Sequence, residues 1–323
     1  MSCNKQFVIV AGYGWSGSSV ISDLLKEFDN CYEMGDEFRL LKDPYGVLDL
    51  KYNLVDNWEL LNSDNAIKDF VWFVDHLNYK REKHALKDGL GYSKLLGSSF
   101  MTATHNFLEE IIDYRYKGKW FFTDWKKSKI EYFIQRLKKK LGIKKDEYMY
   151  FAKPTPEKFN MAVNKYLNEA FGNVKQDFIV LDQGLSPNNF FFVNCLDNAK
   201  MIIVDRDPRD IYADLIKDKV FLGEERDVYK FISLFKILRE NKNEIKEAEN
   251  VLTVQFEKIV KSYEAEVLRV LEFLNVNINE HRNKKVYFDP NRSCKNIGIY
   301  KIYLTKEEIE EIETQLSEYI IES

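Results

Sequence analysis

The chain has 323 residues, of which 45% are hydrophobic and 15% aromatic, so it is long enough to bury a full hydrophobic core. Its 48 basic and 52 acidic side chains give a net charge of −4, which excludes the global positive field typical of proteins that bind nucleic acid. No apolar run approaches the length of a membrane span, and the first strand-like run begins too early to leave room for a signal peptide. We therefore expect a single cytoplasmic domain, 1–323, without a transmembrane segment and with any polyanion site confined to one place.

A strand, a glycine-rich turn and the start of a helix follow one another at the N-terminus. Residues 7–11 form an apolar run of strand length, and apolar residues recur at helical spacing over 20–28. Between these two segments, Gly12, Gly14 and Gly17 allow positive φ and a close approach of the backbone. Such a turn directs several N–H groups, and the positive end of a helix, toward one point, which is a geometry that holds a phosphate.

Strand-length runs that end in charged turns recur in the second half of the chain, at 178–182, 200–204 and 251–256. Helical patterns separate these runs, and this alternation predicts an α/β fold with a doubly wound parallel sheet. From 48 to 174, strand-like runs are scarce, while aromatic residues and lysine are frequent. We therefore expect a largely helical insertion there.

A loop rich in charge follows a short candidate strand that begins at Cys31. Ligands of open α/β sheets bind outside the carboxyl ends of the strands, so charged side chains in this loop are candidates for a site. The loop carries Glu33, Asp36, Glu37, Arg39 and Lys42.

The glycine loop alone is compatible with more than one kind of site. Its Gly-x-Gly-x-x-Gly spacing, with Glu33, Asp36 and Glu37 downstream, matches the dinucleotide fingerprint and favours a dinucleotide-dependent oxidoreductase. That hypothesis leaves two segments unexplained: the Arg-Asp-Pro-Arg-Asp turn within 205–210 and the segment 292–298, which is rich in Arg, Lys and Asn. The loop also has the frame of an ATP-binding P-loop, but Ser18 stands where the phosphate-bridging lysine should be, which argues against a kinase.

In a third interpretation the loop resembles the 5′-phosphosulfate loop of sulfotransferases that use 3′-phosphoadenosine 5′-phosphosulfate (PAPS), a P-loop-like turn. Residues 205–210, Asp-Arg-Asp-Pro-Arg-Asp, resemble the 3′-phosphate motif of that family. Residues 254–260 resemble its strand that ends in a Tyr/Phe-Glu turn, and 292–298 are similar to its basic C-terminal loop. The resemblance covers about 7–40 and 178–320, and the bacterial carbohydrate sulfotransferases are the group that it indicates.

The resemblance implies transfer of a sulfuryl group from PAPS to an acceptor hydroxyl, with no metal ion. The loop would hold the 5′-phosphosulfate, Arg206 the 3′-phosphate, and the C-terminal segment would close the clamp. The residues that the resemblance assigns to the donor are Gly14, Trp15, Ser16, Gly17, Ser18, Ser19, Arg206, Asp214, Arg292, Ser293, Lys295, Asn296 and Gly298.

Two positions depart from the family pattern. Trp15 stands where the family usually carries a lysine or arginine against the leaving oxygen, so Arg39 or Lys42 is expected to supply that charge. Asp214 stands where the 3′-phosphate motif usually ends in serine, and its carboxylate would repel a phosphate unless it pairs with Arg206 or points away. These departures leave open a non-catalytic nucleotide-binding relative.

Glu37 is the expected general base, because several carbohydrate sulfotransferases carry a carboxylate on the loop after the second strand. A buried carboxylate with a raised pKa can accept the proton of the acceptor hydroxyl. Asp36, His105 and Asp182 are the alternatives. The aromatic insertion is expected to provide surface for the acceptor, with a saccharide as the first choice and a sterol or phenol as the second. The oligomeric state stays open.

Overall fold

The computed structural model describes residues 5–79, 89–121, 125, 128–140 and 147–321. The chain divides into two compact units, each described separately below. The sheet unit comprises Met1–Lys42 and Phe171–Ser323, and the helical unit comprises Asp43–Ala170.

The strands are β1 (Gln6–Gly12), β2 (Cys31–Glu33), β3 (Tyr114–Lys117), β4 (Tyr148–Phe151), β5 (Phe178–Asp182), β6 (Ala199–Asp205) and β7 (Val251–Gln255). The helices are α1 (Ser19–Leu25), α2 (Val47–Lys51), α3 (Leu60–Asn78), α4 (Tyr92–Leu95), α5 (Ser99–Ile111), α6 (Lys129–Lys140), α7 (Pro156–Ala170), α8 (Pro208–Asp218), α9 (Leu222–Glu225), α10 (Val228–Leu238), α11 (Lys242–Glu247), α12 (Phe256–Lys261), α13 (Tyr263–Leu274), α14 (Pro290–Ser293), α15 (Tyr300–Tyr303) and α16 (Lys306–Gln315). None of the helices within the described ranges is both long enough and apolar enough to cross a membrane.

A parallel sheet of five strands forms the centre of the sheet unit, in the order β2-β5-β1-β6-β7. Every pairing in it is parallel, so all five strands end at the same edge. Both faces of β1 are buried: Val8 and Val10 pack with α1 and α13, and Phe7 and Ile9 on the opposite face are fully covered as well. The predicted α/β class with a central parallel sheet is confirmed.

The turn from β6 into α8 follows from its sequence. Asp207 is the N-cap of α8, since its side chain accepts a hydrogen bond from the Arg209 N–H, and Pro208 occupies the first helical position, where no N–H is needed. The carboxylate of Glu257, at the start of α12, in turn accepts the Asp207 N–H at 3.0 Å. The ends of β6 and β7 are thereby tied together beside Arg206.

The helical unit has a core of stacked aromatic rings on α5 and α7. Phe107 stacks on Tyr166 with ring centroids 5.0 Å apart, and the Tyr166 hydroxyl shares a 2.6 Å hydrogen bond with Thr104. Beside these helices, β3 and β4 pair as an antiparallel hairpin that the sequence pattern did not predict. Its strands, four residues each, are too short and too exposed to produce a clear apolar alternation.

Candidate functional site

The glycine loop joins β1 to α1 at the carboxyl edge of the sheet. Gly14 and Gly17 have φ of 81° and 77°, as the spacing of glycines predicted, and Trp15 between them has a φ of 50°. A Cβ at Gly17 would lie 2.6 Å from Cδ2 of Phe256, whereas nothing lies within 4 Å of one at Gly14. Gly17 is therefore required both by its backbone conformation and by the ring packed against it.

The serines of this loop have different environments. Ser16 is buried, and its Oγ has no hydrogen-bond partner among the described residues. The Oγ of Ser18 accepts a 2.6 Å hydrogen bond from Nε2 of Gln183, whose Oε1 accepts one from Lys42 Nζ at 3.1 Å. Ser19 is exposed at the start of α1. Lys42 is thus connected to the loop through Gln183, a residue that the sequence reasoning did not assign to the site.

Arg206, directly after β6, joins three parts of the sheet unit through its guanidinium group. Its Nη1 donates to the main-chain oxygen of Trp15 at 3.1 Å and to Oδ2 of Asp214 at 2.6 Å, and its Nη2 donates to the main-chain oxygen of Asn296 at 2.6 Å. The side chain is 3% exposed and lies over the ring of Phe256. One buried cation therefore holds the glycine loop, α8 and the C-terminal segment together.

The C-terminal segment, 285–300, is held in place by two buried carboxylates. Glu27 accepts the N–H groups of Lys285, Tyr287 and Phe288 and pairs with Nε2 of His281 at 2.6 Å. Asp210 accepts the N–H groups of Gly298 and Tyr300, at 2.8 and 3.1 Å. Burial raises the pKa of Asp210, and these two hydrogen bonds oppose that effect.

A cavity of about 290 Å³ lies between these segments. Eight of the residues assigned to the donor line this cavity: Trp15, Gly17, Ser19, Arg206, Asp214, Arg292, Ser293 and Asn296. Four residues that were not assigned to the donor also line it: Val20, Asp23, Phe256 and Phe288. The cavity lining does not include Gly14, Ser16, Ser18, Lys295 or Gly298. Of these, Lys295 is exposed, and Gly298 has a φ of 78° next to the Asp210 carboxylate.

The four lining residues that were not assigned to the donor differ in how far the sequence could have indicated them. Val20 and Asp23 lie on the first turns of the helix that follows the loop, so helical spacing could have indicated them. Phe256 belongs to the strand end at 254–260 that had been singled out. Phe288 reaches the cavity only because Glu27 fixes the segment before it, a contact across 261 positions that no local pattern contains.

A second cavity, of about 240 Å³, shares Trp15 and Gly14 with the glycine loop and is lined almost entirely by apolar groups. The indole of Trp15 stacks on Phe221 at a centroid distance of 6.1 Å. At this cavity Arg239, 1% exposed, pairs with Asp205 at 2.7 Å and lies over the ring of Tyr13. The other lining residues are Ile211, Leu215, Phe231, Leu234, Phe235 and Leu238.

The loop after β2 carries the two residues predicted to be catalytic. Glu37 and Arg39 form an ion pair, with 2.5 Å between Oε2 and Nη2. The Glu37 side chain is 41% exposed, so the expectation of a buried carboxylate is wrong. The backbone N–H of Phe38, next to Glu37, donates to the main-chain oxygen of Asp182 at 2.7 Å.

The alternative bases lie in different places. Asp182, at the end of β5, accepts a 2.8 Å hydrogen bond from Ser22 Oγ; burial raises its pKa, and the nearby charge of Glu37 raises it further. Asp36 is exposed and accepts the Glu37 N–H at 2.8 Å. His105 is an exposed residue of α5, in the helical unit.

The strand order bears on the dinucleotide hypothesis. In dinucleotide-binding sheets the acidic residue that binds the ribose ends a strand adjacent to the first strand. Here β5 lies between β2 and β1, and Glu33, at the end of β2, is engaged by Lys26 Nζ at 3.3 Å and by the Gly35 N–H at 2.9 Å. The arrangement on which the fingerprint depends is therefore missing from the described sheet.

In the same described ranges, no group of three or more His, Cys, Asp or Glu side chains is arranged to hold a metal ion.

Comparisons with known proteins add the following. The sequence matches no protein-family model and no curated protein. The structure is similar to the sulfotransferase domain of the Synechococcus PCC 7002 olefin synthase, with 14% identity over 97% of this chain and 94% of that chain and a TM-score of 0.40. It is also similar to a retinol dehydratase solved with androsterone and the inactive cofactor PAP (13% identity, 99% and 81% of the two chains, TM-score 0.41). A third similar structure is a sulfotransferase from Mycobacterium avium (12%, 98% and 76%, TM-score 0.39). The first and third of these structures are sulfotransferases.

Proposed function

We propose that this chain is an enzyme that transfers a sulfuryl group from PAPS to a hydroxyl group of an acceptor. The observation that carries the proposal is the position of Arg206, whose guanidinium touches both the glycine loop, at Trp15, and the C-terminal segment, at Asn296. Segments that resemble three separate donor motifs of sulfotransferases thus border one cavity. A donor with phosphate groups at two ends needs such an arrangement, and a nicotinamide or flavin donor does not.

The donor would lie with its 5′-phosphosulfate at the glycine loop and its 3′-phosphate toward Arg206. As the acceptor oxygen attacks sulfur, the bond between sulfur and the 5′-phosphate oxygen breaks, and negative charge accumulates on that oxygen. N–H groups of the loop and the guanidinium of Arg292 on the cavity wall are suited to stabilise it. A guanidinium fork matches phosphate oxygens better than the point charge of a lysine.

The positive charge that Trp15 does not provide would come from Lys42. Its ammonium group reaches Ser18 through the amide of Gln183, with hydrogen bonds of 3.1 and 2.6 Å. Arg39, the other candidate, pairs with Glu37 and would instead orient that carboxylate. We assign Glu37 as the base that accepts the proton of the acceptor hydroxyl.

For the acceptor we propose a saccharide, bound with help from the 48–174 insertion into an otherwise single sulfotransferase domain. An exposed aromatic cluster in the helical unit supports this choice. Trp72 is 52% exposed and Tyr45 45%, and their rings meet edge to face at 5.8 Å. The ring of His76 lies 4.1 Å from that of Trp72. Exposed apolar patches of this kind mark binding sites, and a sugar ring offers an apolar face to such rings.

Calorimetry with adenosine 3′,5′-bisphosphate, the product of the donor, tests the nucleotide assignment. We expect it to bind, and we expect NAD and ATP to bind far more weakly. No binding of the bisphosphate up to millimolar concentration, together with tight binding of NAD, FAD or ATP, would refute the proposal.

Turnover with PAPS and a panel of saccharides tests the base. Glu37→Gln should leave bisphosphate binding intact and abolish turnover, since the amide cannot accept the proton. Asp36→Asn, a neutralised carboxylate one position away, is the matched control and should retain both. If Glu37→Gln turns over normally, Glu37 is not the base.

A further inference from the structure

The two terminal nitrogens of Arg206 already donate hydrogen bonds within the protein, whereas its buried Nε has no hydrogen-bond partner among the described residues. Nη1 serves both the Trp15 oxygen and Asp214 Oδ2, and Nη2 serves the Asn296 oxygen, so both terminal nitrogens have acceptors. Two of these acceptors are backbone carbonyls of ordered loops. The Asp214 carboxylate is the only one of the three that can leave by rotating a side chain.

Asp214 also has a second partner on the solvent side. Nζ of Lys217, one turn further along α8, lies 3.5 Å from its Oδ1, and the Lys217 side chain is 42% exposed. A rotation of Asp214 away from Arg206 therefore leaves the carboxylate beside a cation. Such an exchange costs less than moving a carboxylate into a place without a countercharge.

The charges on the cavity wall make this exchange necessary for a dianionic ligand. The charged residues that line this cavity are Arg206, Arg292, Asp214 and Asp23, so positive and negative side chains are equal in number. Asp23 has its own cation, Lys26, at 3.1 Å. A phosphate at Arg206 would otherwise meet the Asp214 carboxylate at hydrogen-bond range, where like charges repel strongly.

We propose that Asp214 determines how strongly this site discriminates between nucleotides with and without a 3′-phosphate. The carboxylate competes with the 3′-phosphate for Arg206, and the phosphate binds only when Asp214 moves across to Lys217. A nucleotide with a free 3′-hydroxyl leaves the Arg206–Asp214 pair in place. This inference rests on the proposed function, because it takes the donor to be a 3′-phosphorylated nucleotide bound at Arg206.

The test compares adenosine 3′,5′-bisphosphate with adenosine 5′-monophosphate by calorimetry. Asp214→Asn keeps the shape of the side chain and removes its charge, so it should tighten bisphosphate binding about tenfold and leave monophosphate binding within about twofold. Asp218→Asn, an exposed acidic residue at the end of the same helix, makes the same change in net charge and should alter neither affinity.

Lys217→Ala supplies a second arm. In the wild-type background it should weaken bisphosphate binding, because the displaced carboxylate loses its partner; in the Asp214→Asn background it should have no effect. Unchanged bisphosphate affinity in Asp214→Asn, equal tightening of both nucleotides, or an undiminished Lys217→Ala effect in the double variant overturns the inference while leaving the proposed function standing. If neither nucleotide binds to the wild type or to Asp214→Asn, the proposed function itself fails, and the inference with it.

Discussion

Nη1 of Arg206 donates a hydrogen bond to the main-chain oxygen of Trp15, 3.1 Å away, although 191 positions separate the two residues. The glycine loop is therefore held directly by the first basic residue after β6. A change in the guanidinium group must alter both the loop and whatever the loop binds.

Replacement of Arg206 tests this coupling. Arg206→Ala should abolish binding of adenosine 3′,5′-bisphosphate in calorimetry and lower the free energy of unfolding, since each hydrogen bond from a charged donor contributes about 1.5–3 kcal/mol. Arg206→Lys keeps the charge without the fork and should bind more weakly than the wild type. Arg269→Ala, on the exposed side of α13, is the control and should bind normally. Normal binding by Arg206→Ala would remove Arg206 from the site.

Gly17 and Gly14 form a matched pair, since both have positive φ and only Gly17 has a ring against it. Gly14→Ala should cost about 1–2 kcal/mol from backbone strain alone. Gly17→Ala should cost a further 1–3 kcal/mol or so, because the new methyl group overlaps Phe256. Urea denaturation measures both. Phe256→Leu should recover part of the Gly17→Ala loss, and no recovery would show that the ring is not the obstacle.

Glu27 should be one of the most sensitive buried positions. Its carboxylate and the His281 imidazole are both completely buried, and it also accepts three backbone N–H groups from the C-terminal segment. Glu27→Ala leaves these donors without an acceptor and should lower the free energy of unfolding by about 3–5 kcal/mol. Glu272→Ala, on the exposed face of α13, should change it by less than about 0.5 kcal/mol. Equal effects in denaturant titrations would contradict the anchoring role of Glu27.

The partly buried carboxylate of Asp182 should make the free energy of unfolding depend on pH. Burial raises its pKa in the folded chain, so its contribution to stability is complete below the ordinary aspartate pKa of about 3.9 and is lost as the pH rises through the raised value. Asp182→Asn has no charge to bury, and its Oδ1 can still accept from Ser22. Its free energy of unfolding, relative to the wild type, should therefore increase as the pH rises above about 4. An exposed control, Asp197→Asn, should run parallel to the wild type, and a parallel Asp182→Asn curve would contradict the prediction.

The framework of the sheet unit could be predicted because its signals are local. The run at 178–182 is β5, the run at 200–204 is one residue shorter than β6 at each end, and the run at 251–256 extends one residue beyond β7. Strands in the middle of the sheet are recognisable because both of their faces are covered and they are mostly apolar. The positive φ of Gly14 and Gly17 likewise follows from residue type and spacing.

Contacts between distant segments could not be predicted in the same way. The exposure of Glu37 has no signal in the residues around it, and the connection from Lys42 to Ser18 depends on Gln183, which follows β5 and lies 165 positions after Ser18. The pairing of Asp214 with Arg206 was only one of two possibilities from the sequence. The residue pattern of a helix or strand predicts which of its faces is buried. Which distant residue a side chain contacts depends on how the elements pack, and the local sequence does not predict that.

Trp15 has a consequence for how ligands would affect each other. Trp15 lines both of the cavities described above, and its position is restricted by a left-handed backbone and by the ring of Phe221. A shift of this residue into one cavity would enlarge the other. Occupancy of the polar cavity and the shape of the apolar one are therefore linked through a single residue.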